Sequence, residues 1–391
     1  MQQGCDIFVV AGGAYVDELH EVAQFPKEDS TTRALSVRRQ RGGNASTTAV
    51  VLRQLLDGPR KTVHWMGAVP AAASDMRTLV LNQMRAAGVE TRLRDEVSEP
   101  TPGDVTIDIP SAIIMLSKAT GSRTVVSNRR GLRELSPDHF ASQLPNLGHQ
   151  SADSSGWVHL ECREYASAVK MTREVGARRR AGEPWTLSIE IEKPVLGVGQ
   201  VVELCMAAQV VFFSQEWLEE HSRSPILNAS LHGSPPQPSG RQGPPPQVLR
   251  YLRALLQATK TSLPAASAST PCAAQDSKVV WIATWGASGA VALESDATTR
   301  TELLAHLEPA FAVQNVVESV GAGDTFIAAC VAALARGALV GQALREGCHL
   351  AACKVSQSGF DGLGKRLEDF HRQTRGSPDN STTGSRKRPH S

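Results

Sequence analysis

Residues 320–337 read Val320-Gly321-Ala322-Gly323-Asp324-Thr325-Phe326 and then IAACVAALARG, which predicts a tight glycine turn followed by an apolar helix. Glycines allow backbone conformations that side chains forbid, and the free N–H groups at a helix N-terminus bind anions. Gly321, Ala322 and Gly323 are therefore predicted to form an anion hole. Asp324 is a candidate general base that accepts a proton from an attacking hydroxyl. The alternative, commoner for a short glycine motif alone, is an Asp that only caps the helix.

Two segments near the N-terminus add candidates for binding a polyol. Asn44 follows a glycine pair in Arg41-Gly42-Gly43-Asn44-Ala45, and its amide is both a donor and an acceptor. Asp17 comes shortly after the first strand, at the carboxyl edge where open parallel sheets bind ligands, and a carboxylate there can hold two sugar hydroxyls. The alternatives are an Asn helix cap after a glycine turn and a loop Asp in water.

Apolar, β-rich runs alternate with helical patterns along the chain. Continuously apolar strands are typical of sheets buried on both faces, and the alternation predicts an α/β fold with a central, mostly parallel sheet. Strands are expected at 7–11, 63–67, 113–116, 157–160, 186–191, 210–214 and 279–284. Helices are expected at 45–56, 76–87 and 165–179.

The 391 residues allow one large domain, which we expect to span 5–367. Segments 223–246 and 261–278 are rich in Pro, Ser, Gly, Ala and Gln, so they are predicted to be loose insertions on either side of a helix at 247–258. Beyond Leu367 the chain turns polar and basic, and 368–391 is expected to be a disordered tail.

Composition excludes several kinds of partner. Lys and Arg number 41 against 39 Asp and Glu, so no overall charge recruits nucleic acid. The longest apolar stretch, 326–344, is interrupted by Arg336 and predicts a buried helix and turn, not a membrane span. The N-terminus lacks a secretory pattern, and the 7 cysteines form no CxxC pair, which favours a reducing, cytoplasmic location. The partner is expected to be a small molecule.

The GGN segment near the N-terminus and the GAGD segment near the C-terminus, in that order, resemble the ribokinase-like (PfkB) sugar kinases. Further segments resemble the ketohexokinase family within them: FPKEDS at 25–30, RQRGGNAS at 39–46, GSRT at 121–124, SIEIEKP at 188–194 and GFDG at 359–362. The resemblance implies a ribokinase-like three-layer α/β/α fold. It also implies a small β-sheet lid (β-clasp) built from about 15–41 and 109–128.

The resemblance also implies an activity, which is ATP-dependent phosphorylation of a ketohexose, D-fructose to fructose 1-phosphate. Asp17, Gly43 and Asn44 would contact the sugar, and Asp324 would be the base beside the anion hole of Gly321, Ala322 and Gly323. Arg123 would bind nucleotide phosphate, and the loop Gly286, Ala287, Ser288 and Gly289 would lie under adenine and ribose. Asp29 would reach the sugar of a neighbouring subunit in a homodimer formed through the lid.

The expected cofactors are ATP and Mg²⁺, with the metal held by phosphate oxygens and water instead of a protein cage. The sequence leaves open whether K⁺ also activates the site. Thr47 stands where the ketohexokinase family has a second sugar-binding Asn, and this change of hydrogen-bonding group affects specificity. The alternatives are therefore a related kinase for ribose, a keto-deoxy sugar acid or a nucleoside, and a non-catalytic sugar or nucleotide sensor.

Overall fold

The computed structural model describes residues 5–96, 107–147, 155–228, 243–262 and 278–375. The strands in these ranges are β1 (Cys5–Ala11), β2 (Tyr15–Val22), β3 (Ser36–Gly42), β4 (Thr62–Pro70), β5 (Glu90–Glu96), β6 (Ser111–Ser117), β7 (Arg123–Asn128), β8 (Ser155–Glu161), β9 (Trp185–Ile191), β10 (Val210–Phe213), β11 (Lys278–Thr284), β12 (Ala290–Asp296) and β13 (Glu302–Glu308). The helices are α1 (Asn44–Leu55), α2 (Asp75–Ala86), α3 (Pro137–Gln143), α4 (Tyr165–Arg180), α5 (Val198–Ala207), α6 (Gln215–Glu220), α7 (Pro225–Asn228), α8 (Pro246–Ser262), α9 (Ala322–Ala335), α10 (Val340–Val355) and α11 (Leu363–Arg375).

The larger sheet has the strand order β13-β12-β11-β10-β9-β8-β1-β4-β5. The strands from β11 to β5 are parallel, and β12 runs antiparallel to both of its neighbours. Parallel strands end at a common edge, so the loops that follow β1, β8, β9 and β10 lie side by side. The predicted central, mostly parallel sheet is confirmed.

Alternation along β1 shows how the sheet separates two apolar cores. Phe8 and Val10 pack in one core with buried side chains of α1, α9 and α10, whereas Val9 packs in the other with α4, α5 and α8. Successive residues of a strand point to opposite faces, so a strand buried on both sides is apolar throughout. This arrangement confirms the three-layer α/β/α class.

The smaller sheet has the order β3-β2-β6-β7, with β2 and β6 parallel and the outer pairs antiparallel. Its strands fall within the two segments predicted for a lid, and we call this sheet the lid. One lid face carries a buried apolar cluster, the lid cluster: Leu19, Ala112, Ile114 and Leu116. The opposite face leaves Val37, Ile113 and Val126 exposed.

The Ala-rich segment after the GAGD motif forms α9 and then a turn before α10, as predicted. Side chains of α9 are buried from Thr325 to Ala333, because small residues let neighbouring helices approach closely. Among the described residues, no helix combines the length and apolarity needed to cross a bilayer.

The predicted borders of the loose segments were partly wrong. Helix α8 begins at Pro246 and ends at Ser262, and α7 lies inside the first predicted insertion. Helix α11 continues to Arg375, so residues 368–375 are not part of a disordered tail. Leu367 and Phe370 are buried one turn apart, and this apolar face explains the longer helix. The remaining parts of these predictions, 229–242, 263–277 and 376–391, lie outside the described residues.

Replacing Phe370 tests the packing of α11. Its ring is stacked on His349 at 4.1 Å between centroids and meets Phe311 edge-on at 5.8 Å. Phe370→Ala should lower the free energy of unfolding by about 3 kcal/mol because it leaves a cavity, measured by urea denaturation. Arg372→Ala on the exposed face is the control and should change it by less than about 0.5 kcal/mol. Equal stability of the two variants would contradict the packing.

Candidate active site

A cavity of about 490 Å³ lies between the lid and the carboxyl edge of the main sheet. It is lined by residues of β2, β3, β7 and α9, which come from distant parts of the sequence. The structure brings eight of the predicted site residues to its wall: Asp17, Gly43, Asn44, Thr47, Arg123, Gly321, Gly323 and Asp324.

Gly321 forms the turn that starts α9. Its φ of 76° is left-handed, and a Cβ there would lie 2.5 Å from the Phe360 ring and 3.3 Å from the methyl group of Thr47. The N–H and hydroxyl of Thr325 donate to the Gly321 carbonyl at 3.0 and 2.8 Å. Because the first N–H groups of a helix lack partners within it, this turn presents donors to the cavity. We call residues 321–323 the anion turn.

Asp324 follows the anion turn and is partly buried at the cavity wall. Burial raises the pKa of its carboxyl group well above the usual range, and the charges of Glu192 and Glu161 raise it further. The Arg41 guanidinium opposes these effects. Asp324 is thus more basic than a solvated Asp, as a proton acceptor requires.

Arg41 and Asp17 form a buried part of the cavity wall on the lid strands β3 and β2. The Arg41 guanidinium donates to the hydroxyls of Ser46 at 2.8 Å and Thr47 at 3.2 Å. Burial raises the pKa of Asp17 to about 6, and Arg41 partly offsets that rise. A Cβ on Gly42 would lie 1.9 Å from the Asp17 carboxylate, so only glycine permits this packing.

A group of carboxylates that the sequence reasoning did not assign lies beside Asn44. Glu190 accepts a hydrogen bond from the Asn44 amide at 3.1 Å, and burial raises its pKa well above the usual range. Glu161 accepts the Gly13 N–H at 2.9 Å and pairs with Arg163 at 2.5 Å. Glu161 ends β8 and Glu190 lies near the end of β9, so the rule that singled out Asp17 would also have found them.

Arg123 and Ser319 lie at the opening of the cavity. The Arg123 guanidinium, exposed on β7, donates to the Ser319 hydroxyl at 2.9 Å. Four predicted nucleotide residues, the turn of Gly286, Ala287, Ser288 and Gly289, do not line the cavity. A Cβ on Gly286 would lie 3.6 Å from Gln215, which does line it, so the turn lies behind the rim.

Two further predicted residues lie off the wall. Ala322 belongs to the anion turn but does not line the cavity. Its predicted contribution is its backbone N–H group and not its side chain. Asp29 is exposed in the connection between β2 and β3, with a left-handed φ of 56°. The isolated chain therefore does not bring Asp29 to the cavity.

Comparison with known proteins shows a similarity for one segment of the cavity wall. Residues 252–363, which include the anion turn and Asp324, match the model of the pfkB family carbohydrate kinases. This segment is therefore similar to the pfkB family carbohydrate kinases. The family match supports the predicted sugar kinase class and ATP as the phosphoryl donor.

A curated relative and two solved structures extend the similarity along the chain. Ketohexokinase of Mus musculus is 28% identical over 357 residues, covering 90% of this chain and 97% of that protein. Ribokinase from Giardia lamblia superposes with a TM-score of 0.67 at 14% identity, covering 94% of this chain and 99% of its own. Ribokinase from Cryptococcus neoformans in complex with ADP has a TM-score of 0.60 at 17% identity, covering 95% of this chain and 99% of that ribokinase. These structures share the fold.

The raised pKa of Asp17 should make the free energy of unfolding depend on pH, and replacing Asp17 by Asn should remove this dependence. Its carboxyl has a pKa of about 6 in the folded protein and an ordinary value of 3.8. The protonated form therefore stabilises the fold fully below about pH 4, and this contribution is lost as the pH rises through 6. As the pH rises from 4 to 7, the free energy of unfolding of Asp17→Asn should therefore increase by roughly 2 to 3 kcal/mol relative to that of wild type.

Urea denaturation at pH 4 to 8 measures this difference. Asp57→Asn, which removes an exposed carboxylate that does not line the cavity, is the control and should follow the wild-type profile. Parallel profiles for wild type and Asp17→Asn would show that the carboxyl is not held in a desolvated site.

Proposed function

We propose that this kinase transfers the γ-phosphoryl group of ATP to a ketohexose, converting D-fructose to fructose 1-phosphate. The observation that carries the proposal is the position of Asp324 beside the anion turn, at one cavity with Asp17 and Asn44. The similarity to a ketohexokinase over 97% of that protein's length supports the choice of sugar.

In the proposed complex the sugar lies beneath the lid. Asp17 accepts hydrogen bonds from two sugar hydroxyls, and Asn44 contributes its amide, which Glu190 holds in place. Gly43 contributes its backbone to the sugar contact, and the position excludes a side chain because a Cβ there would lie 2.8 Å from the Gly13 carbonyl oxygen. Thr47 contributes a hydroxyl whose oxygen already accepts from Arg41, so its proton is free to be donated to the sugar.

In the proposed reaction Asp324 accepts the proton of the primary hydroxyl as its oxygen attacks the γ-phosphorus. The bond from phosphorus to the β–γ bridging oxygen breaks, and ADP leaves with that electron pair. Negative charge on the transferring oxygens is stabilised by the N–H groups of the anion turn, an effect worth about 3 kcal/mol at comparable oxyanion sites. The proton on Asp324 then passes to solvent.

The nucleotide is proposed to enter at the Arg123 side of the cavity. The planar guanidinium of Arg123 suits phosphate oxygens, and it extends from the lid over Ser319 at the mouth. Residues 286–289 support adenine and ribose from behind Gln215, which places ATP between the rim and the anion turn.

Mg²⁺ would accompany ATP, and the donor set of the cavity fits it. No group of three or more His, Cys, Asp or Glu residues is placed to hold a metal ion in the part of the chain that the structure describes. Glu190 nevertheless has a buried Oε2 with no hydrogen-bond partner among the described residues. Glu190 would help to hold Mg²⁺, whose other ligands would be phosphate oxygens and water, and the ion would supply shielding of the phosphate charge.

A homodimer through the lid and a cytoplasmic location complete the proposal. The exposed lid face offers apolar side chains, including Val37 and Val126, that a second lid would cover. In such a dimer Asp29, exposed at the end of a lid connection, would reach the partner's sugar.

The second candidate is a related kinase for ribose, a keto-deoxy sugar acid or a nucleoside. Thr47 favours it, since a hydroxyl replaces the amide that the ketohexokinase family uses to bind sugar. A non-catalytic sensor is a weaker candidate, because Asp324 and the anion turn are kept together at the cavity.

Asp324→Asn tests the base. The amide keeps the size of the side chain but cannot accept a proton, so kcat should fall about 10² to 10⁴-fold while binding of an ATP analogue is largely retained. Coupled ADP-release assays and calorimetry measure the two quantities, with Asp57→Asn as the control. Unchanged turnover in Asp324→Asn would overturn the assignment.

A substrate panel tests the sugar. kcat/KM for fructose should exceed that for ribose and adenosine by at least about 100-fold, because unmatched polar groups in the pocket penalise the wrong sugar. Thr47→Asn should change kcat/KM for the sugar while leaving the KM for ATP unchanged. Repeating the assay with and without K⁺ tests the dependence on a monovalent cation. A preference for ribose or adenosine would favour the second candidate.

A further inference from the structure

Three consecutive residues before the anion turn each contact the lid. Glu318 accepts a hydrogen bond from Arg38 of β3. The hydroxyl of Ser319 accepts one from Arg123 of β7 at 2.9 Å. Val320 packs against the lid cluster. These contacts differ in kind, yet all attach residues 318–320, which we call the connector, to the same sheet.

On its other side Glu318 is fixed to the main domain. The ammonium group of Lys354, at the end of α10, donates to Glu318 Oε1 at 3.1 Å and to the Glu318 carbonyl at 3.3 Å. Both side chains are almost completely buried. The Ser358 hydroxyl also donates to Glu318 Oε2 at 3.2 Å. One carboxylate therefore joins a lid strand to the helix and loop that pack beneath the anion turn.

The lid end of this link leads directly to the proposed sugar site. Arg38 lies on β3, and that strand ends at Gly42, which is followed directly by Gly43 and Asn44. A shift of β3 when sugar binds thus acts on Arg38 and on the sugar-contacting residues together. Through Glu318 the same shift reaches the connector, which is covalently continuous with the anion turn.

We propose that the connector couples lid position to the anion turn, so that sugar and nucleotide strengthen each other's binding, with Arg38 and Glu318 as positioning residues. This inference rests on the proposed function, because it needs both ligands to bind in the cavity. The sugar contacts mainly the lid end of this link, and the nucleotide γ-phosphate contacts the anion turn. By thermodynamic linkage, the factor by which the sugar raises the affinity for nucleotide equals the factor by which nucleotide raises the affinity for the sugar.

A merely structural ion pair is the competing interpretation, and the partners of Glu318 allow it to be separated. Removing Glu318 would leave the Lys354 ammonium buried without its carboxylate, so a Glu318 variant risks misfolding. Arg38 is a better target, since its side chain is 38% exposed and its loss leaves the buried pair intact. Arg39, the next residue on β3, pairs only with Glu18 within the lid among the described contacts, and it provides a matched control.

The experiment measures, by calorimetry on the full-length protein, the affinity of a non-hydrolysable ATP analogue without sugar and with saturating fructose. In wild type fructose should raise that affinity. In Arg38→Gln the enhancement should fall to within about twofold of none, while affinity for the analogue alone stays within about threefold of wild type. Arg39→Gln should keep the wild-type enhancement.

The outcomes separate the inference from the proposed function. If wild type binds the analogue but not fructose, the choice of sugar fails, and the measurement is repeated with the sugar that the substrate panel identifies. If both ligands bind and wild type shows no enhancement, or Arg38→Gln keeps it, the coupling is overturned while kinase function stands. Equal loss in Arg38→Gln and Arg39→Gln would indicate general damage to the lid and would also overturn the role of the connector.

Discussion

The close packing around Gly321 is the constraint on which the site depends. No side chain fits at this position, because the Phe360 ring and the Thr47 methyl group occupy the space on either side. Two cations lie over the Phe360 ring, with Lys354 at 5.0 Å and Arg41 at 5.8 Å from its centre. The left-handed turn, the start of α9 and the direction of Asp324 all follow from this contact.

The cavity gathers carboxylates at the expense of stability. Burial and mutual repulsion raise the pKa values of Asp17, Glu190 and Asp324, and Arg41 offsets this effect for Asp17 and Asp324. Such clusters destabilise a fold, and they persist where ligands use them. A phosphoryl-transfer site would use one carboxylate as a base and another to bind the sugar, which agrees with the similarity of residues 252–363 to the pfkB family carbohydrate kinases.

The sequence was sufficient for the parts of the fold that local pattern determines. Continuous apolar runs indicated the parallel strands, and glycine motifs indicated two of the turns at the cavity. It was insufficient where long-range contacts decide. The end of α11 depends on Phe370 packing against Phe311 and His349, which a polar stretch of sequence conceals. The roles of Glu161, Glu190 and Glu318 depend on partners more than 30 residues away in the sequence. Only the folded structure shows which residues these partners are.

In the proposed site, Asp324 lies against the acceptor hydroxyl while the anion turn holds the phosphate. A crystal structure with fructose and a non-hydrolysable ATP analogue tests it most directly. We expect an Asp324 carboxylate oxygen within hydrogen-bond distance of the primary hydroxyl, and N–H groups of residues 321–323 directed at the γ-phosphate. An Asp324 side chain turned away from both ligands in a closed site would contradict it.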